Sequence, residues 1–315
     1  GNKNEIWVIN HSGGEPVRVA EECDMDYPPS WAPDSKKILF SVKPSLRQNQ
    51  IFTVNADGAD LVCISEGETR GKFPSWSPDG SRILYVQEYQ KEMALYTMNP
   101  DGTEPLRLTR DEGTYERPAW SPDGTKIAFI FTKKSFLEAP PVLCVIDADG
   151  AGRKELAKAD YDLLWSPDSA MIAFTKVGAK KVNSRPGHDP EIIKYYGVYI
   201  IRADGNGYET KVGLAGEERS FPSWTTDSSK VYYMFDSKIN IYNLKNRNTA
   251  KIKIDSPLTT PKVSPDGSQI LWAGGKAGML KKSNLYTAKP DGKAVKRLTD
   301  SNVDFEPAWQ PVIVQ

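Results

Sequence analysis

One short phrase recurs along the chain at nearly even spacing. It reads FPSWSPDG at residues 73–80 and RPAWSPDG at 117–124. Looser copies are PPSWAPDS (28–35), DLLWSPDS (162–169), FPSWTTDS (221–228), TPKVSPDG (260–267) and EPAWQP (306–311). The tryptophans fall at 31, 76, 120, 165, 224 and 309, with Val263 in the remaining copy, and the steps are 45, 44, 45, 59, 39 and 46 residues. Self-similarity at this period marks an array of equal supersecondary units, each unable to bury its apolar face alone. It overrides the prior of about two domains that length alone would suggest for a chain of this size.

One unit shows what repeats. From Arg117, a short strand a ends in PAW and runs into the tight turn SPDG. Pro122 presets φ, Asp123 accepts hydrogen bonds from its own turn, and Gly124 takes a positive φ. KIAFIF (126–131) alternates as strand b, VLCVID (142–147) is strand c, DADG (147–150) makes a hairpin, and RKELA (153–157) is strand d. Four short antiparallel strands per repeat are one propeller blade. NADG, NPDG, RADG and KPDG recur at the same place, with NLKN (243–246) as the variant. Asp-Gly between alternating runs is the strongest short hairpin signal. That hairpin reading also disposes of a calcium loop at Asp147 and Asp149, since Lys158 stands where a loop's closing glutamate belongs.

The ends complement one another. EIWVINHSGGEPVRV (5–19) reads as strands c and d, and FEPAWQPVIVQ (305–315) as a and b. The expectation is an all-β fold: one seven-bladed propeller domain over residues 1–315, closed by N-terminal c–d strands pairing with C-terminal a–b strands. Closure removes exposed sheet edges. The repeat tryptophans become core between blades, each worth roughly 2–3 kcal/mol of burial. One blade, begun near Trp165, carries an insertion at about 178–196, polar and basic at first and then one helical turn or an added edge strand, either arching over the neighbouring mouth or merely tolerated as a loop.

Composition narrows the function. Forty-one Lys and Arg balance forty-one Asp and Glu, which argues against a nucleic-acid partner, because that binding needs a basic face that releases counterions. No apolar run reaches the ~20 residues of a membrane span. Cys23, Cys63 and Cys144 are odd in number and far apart, neither a disulfide framework nor a metal set. Cys63 and Cys144 read as small buried hydrophobes.

PAWSPDG…IAF…LYTMNPDG…RLT resembles the propeller repeat of the TolB-like, WD-like family over nearly the whole chain. The resemblance is to the family and not to its founding member, which has six blades and a separate N-terminal domain. It implies an extracytoplasmic protein, periplasmic or on the cell surface. Seven-bladed relatives that cleave oligogalacturonate hold a metal on a cluster of channel histidines; His11 and His188 are the only histidines here, so that activity is not implied.

Strand order places the uniform a–b and c–d turns at one end and the variable d–a and b–c loops at the other, where binding belongs. The d–a loops lead into the innermost strands and are acidic, the b–c loops basic. The expected ligand-binding mouth comprises Asp26, Tyr27, Tyr115, Glu116, Arg117, Asp160, Tyr161, Asp162, Arg219, Asp304 and Glu306. An acidic ring would draw the cationic part of a peptide to the axis; the tyrosines either line that mouth or plug the core beneath it. His188 beside Asp189 reads as a surface residue. No HExxH, GxSxG, P-loop or CxxC is present. The sequence therefore reads as a monomeric, non-catalytic propeller that recruits a peptide or protein, with no catalytic or metal-ligating residue and no cofactor beyond a structural calcium ion on the axis. The alternative is a glycan-binding or glycan-active propeller.

Overall fold

The computed structural model describes residues 4–10, 12, 15–21, 23, 27–42, 50–65, 70–90, 92–134, 139–182, 191–216, 222–235, 238–252, 254, 257, 259–275, 283–300 and 307–309. Every regular element in them is a strand. Six four-stranded antiparallel sheets follow one another, each a meander in chain order, preceded by a two-stranded sheet. The blades begin at Ser30, Arg70, Gly113, Leu163, Ser223 and Lys262. They fall in two compact units, the first running to Glu155 and the second from Leu156 to Trp309.

The seven blades read from the sequence are thus six complete blades among the described residues. The remaining sheet has only its c and d strands, Glu5–Val8 and Val17–Glu21. The strands that would complete it were expected at 305–315, of which only residues 307–309 are described, without regular structure.

Apolar alternation puts the core between consecutive blades. In the first unit, Leu84, Val86 and Leu95 of the second blade pack with Ile127, Phe129, Cys144 and Ile146 of the third. Ile6 and Val19 of the N-terminal pair pack against Ile38, Phe40 and Val54 of the first blade. In the second unit, Ala173, Val198 and Val212 meet Trp224, Val231 and Tyr233. Strand d is the exposed edge, and in the first two blades it is only two residues, Val62–Cys63 and Leu106–Arg107, a length that blunts edge-to-edge pairing. Cys63 is exposed for this reason, contrary to the buried reading, while Cys144 is buried as expected.

The repeated turn is a side-chain relay. Ser121 Oγ donates to Asp123 (2.6 Å) and accepts from the Lys126 amide (2.9 Å), while Asp123 also accepts from the Thr125 amide at 3.0 Å. Ser77–Asp79, Ser166–Asp168, Thr225–Asp227 and Ser264–Asp266 repeat the hydroxyl-to-carboxylate bond. The fourth turn residue is at positive φ whether it is Gly80, Gly124 and Gly267 or Ser35, Ser169 and Ser228. Hydrogen bonds from Thr225 and Ser264 hold Asp227 and Asp266 down to about 2. Their folded values lie below the unfolded carboxylate value of about 3.9. They therefore stabilise the fold above that pH, and the contribution disappears as pH falls through about 2. Thermal scans from about pH 5 downward should show the melting temperature dropping across this window, less steeply in Asp227→Asn. A wild-type profile that stays flat to about pH 2 would contradict the relay.

Within the 59-residue step from Trp165 to Trp224, the described parts of the insertion, 178–182 and 191–196, are strand, which agrees with the added-strand reading and not with a helical turn. Strands b and c of the fourth blade, Met171–Val182 and Glu191–Arg202, are twelve residues each and pair along their whole length. The pairing of strands b and c continues past the rest of the blade, from Val177↔Tyr196 to Val182↔Glu191. His188 lies outside the described residues.

Candidate functional site

In the first unit, the entries to three consecutive a strands form a stacked ladder. Tyr27 meets the Phe73 ring edge-to-face at 4.5 Å between centroids, and the Arg117 guanidinium lies over the same ring at 5.9 Å. All three side chains are half-buried. Two backbone bulges aim them. Pairing of strand a with strand b jumps from Lys72↔Val86 to Ser75↔Leu84, and from Glu116↔Ile130 to Ala119↔Ala128. Phe73-Pro74 stands against Tyr85 alone and Arg117-Pro118 against Phe129 alone, one extra residue in each case, and Phe73 and Arg117 each sit at φ 53. A residue before proline favours extended backbone, and a bulky side chain in the left-handed region costs about 1–3 kcal/mol. Bulges with such strain recur beside sites because they re-aim a side chain. The ladder combines aromatic faces with a planar cation.

The expected mouth residues separate. Tyr27 and Arg117 belong to the ladder, and Glu116 beside it is exposed. Tyr115 does not join them: it is 1% exposed, packs on Phe129 and Phe131, and donates from its hydroxyl to the Asp111 carbonyl at 2.9 Å. Burial raises its phenol above the ordinary value. Asp111 is ion-paired with Arg153, whose guanidinium caps the Phe131 ring at 4.3 Å.

In the second unit, Asp160 accepts the Val177 amide at 2.9 Å, Tyr161 meets Tyr196 edge-to-face at 5.7 Å, and Asp162 is 5% exposed. Two of the expected anionic groups are therefore engaged or enclosed by the fold. Asp26, Arg219, Asp304 and Glu306 lie outside the described residues. Phe73 was not among the sequence candidates, although the phrase FPSW gave the signal: position 73 stands three residues before its tryptophan, as Arg117 and Phe221 do.

The model of the TolB beta propeller domain matches residues 1–168. The chain belongs to this family. No curated protein matches it. Among solved structures, TolB from Acinetobacter baumannii is 20% identical over 88% of this chain and 67% of that one, with a TM-score of 0.54. Oligogalacturonate lyase from Vibrio parahaemolyticus is 17% identical over 95% and 85%, at 0.65. The propeller domain of the Trilobed protease from Pyrococcus furiosus, described as having an open velcro topology, is 16% identical over 99% and 90%, at 0.61. At these identities the three share the fold with this member of the TolB propeller family, and the fold hosts different activities. No helix among the described residues is long and apolar enough to cross a membrane.

Proposed function

We propose that the chain is a non-catalytic binding propeller that recruits a peptide or protein segment at the strand-a entries. The observation that carries this reading is the ladder Tyr27–Phe73–Arg117, in which strained backbone at two successive repeats holds an aromatic and a cation against one another. Tyr, Phe and Arg at such a cluster are the residues that anchor partner segments. Exposed Glu116 flanks it, and Asp26 is its sequence neighbour. Tyr161, with Asp160 and Asp162 on either side, holds the corresponding entry of the fourth blade and is the second candidate contact; Arg219, Asp304 and Glu306 occupy the equivalent stretches before Trp224 and Trp309. By its family the protein works outside the cytoplasm.

The same reading includes seven blades. Trp224 Nε1 donates to the carbonyl of Leu164, just before Trp165, at 3.2 Å, and Trp309 Nε1 donates to that of Lys262, just before Val263, at 2.9 Å. Trp309 thus repeats toward the sixth blade the contact that Trp224 makes toward the fourth, which supports its role as strand a of a seventh.

An immobilised peptide library probed with the protein and with Phe73→Ala tests the function. One sequence class should be enriched and weakened about thirtyfold in the variant, the loss of about 2 kcal/mol typical of an anchor residue. Enrichment that the variant retains in full, or enrichment only of oligogalacturonides spotted beside the peptides, would remove the reading.

A further inference from the structure

Among the described residues, the fourth blade carries an edge that its own strands do not use. Its strand a, Leu163–Trp165, pairs only with Ile172–Phe174. Its strand d pairs with strand c no further out than Tyr196. Strands b and c nevertheless continue as a two-stranded ribbon, from Val177↔Tyr196 to Val182↔Glu191. Beyond Phe174 on one side and Tyr196 on the other, no further strand flanks this ribbon among the described residues. A sheet edge of this kind is a template for another strand.

The first contacts along that edge show what it accepts. The Thr175 amide donates to the Asp162 carbonyl at 3.1 Å, and the Val177 amide donates to the Asp160 carboxylate at 2.9 Å. Strand a has ended there, and an anionic side chain stands in for its backbone. Alternation by two directs the amides of Ala179 and Lys181 to the same edge as those of Thr175 and Val177. The ribbon is basic where it leaves the blade: Lys180, Lys181 and Lys194 against Glu191 within 178–182 and 191–195. It is also braced. The Tyr195 ring lies over Gly178, where any Cβ would collide with it, and Lys211 Nζ stands 5.7 Å from the centre of that ring.

We propose that the outer edge of strand b, Val177–Val182, is a second interaction surface that takes an acidic polypeptide segment in extended conformation by strand addition. Main-chain hydrogen bonds to the Ala179 and Lys181 amides supply affinity, and the net positive charge of the ribbon's sequence favours acidic segments over basic ones. The surface is separate from the ladder and does not depend on it.

Fluorescence anisotropy with a labelled octapeptide of alternating Glu and Val, and its Lys-Val counterpart, tests this. The acidic peptide should bind saturably, more weakly as salt rises, and the basic one should not bind. Ala179→Pro removes an outward amide, which an edge strand tolerates, and should weaken binding at least about tenfold. Lys180→Glu with Lys181→Glu should weaken it similarly, and Phe73→Ala should leave it unchanged. Amide exchange at Ala179 and Lys181 should slow when the acidic peptide is added, a reading independent of whether the proline variant folds. No saturable binding, equal binding of both peptides, loss in Phe73→Ala, or unchanged exchange at those two amides would each overturn the proposal.

Discussion

Gly102→Ala should destabilise the protein by about 3–5 kcal/mol, the exceptional end of single substitutions. Gly102 is the last residue of the NPDG hairpin, at φ 88. A Cβ there would drive into the Ile64 carbonyl oxygen of the preceding repeat, with the carbonyl carbon at 3.0 Å and the Ile64 Cα at 3.3 Å. That obstacle is backbone, so it cannot swing aside. Gly58 supplies the control, because it has the same φ of 88 while its Cβ would meet the Arg18 carbonyl at an ordinary 3.5 Å. Gly58→Ala should therefore cost only the conformational term, about 1–2 kcal/mol. Chemical denaturation of both variants separates the two effects. Equal losses would mean that the hairpin does not clamp the neighbouring blade. Gly150 repeats the clamp against Leu108, where a Cβ would fall 2.6 Å from the carbonyl oxygen, so Gly150→Ala belongs with Gly102→Ala.

The clamp explains why the Asp-Gly phrase was legible as a hairpin and not as a contact. A turn's requirement for positive φ is local and is written in residue type; which backbone lies opposite is not. The same division runs through the fold. Strand b is recognisable in the blades because it is a short, nearly continuous apolar run buried on both faces: Leu84 and Val86 pack in one core cluster, Ile83 and Tyr85 in another. The serine of SPDG passed as spacing, although its hydroxyl joins the turn aspartate to the first amide of strand b. The long ribbon was half legible: an added strand was one reading of 190–196, but Val177–Val182 carries two lysines and a glycine, a composition that reads as loop until its pairing with 191–196 is seen. At the candidate site, Tyr27 and Arg117 were found from their place before the tryptophans. Phe73 was not, because a bulky residue at positive φ before proline is a tertiary choice that propensity opposes.

Tyr115→Ala should lower stability by about 3–5 kcal/mol, the range for emptying a buried aromatic position. Sequence position put Tyr115 with Tyr27 and Tyr161 just before a short strand a ending in PAW, either lining the mouth or plugging the core beneath it. The strand in fact runs from Gly113 to Trp120, and the bulge at Arg117-Pro118 adds a residue to it. One extra residue reverses which face of a strand looks inward, so Tyr115 turns to the core opposite Phe131 while Glu116 turns to solvent. Ring centroids at 5.0 and 5.5 Å from Phe131 and Phe129, and the hydroxyl bond to Asp111, are lost together in the alanine variant. Tyr115→Phe keeps the rings and should cost about 1 kcal/mol, the worth of one hydrogen bond. A residue whose role was ligand contact would behave in the opposite way, with partner affinity falling and the melting temperature unmoved. Calorimetry on the two variants decides between these roles, and a melting temperature of Tyr115→Ala equal to wild type would return Tyr115 to the mouth.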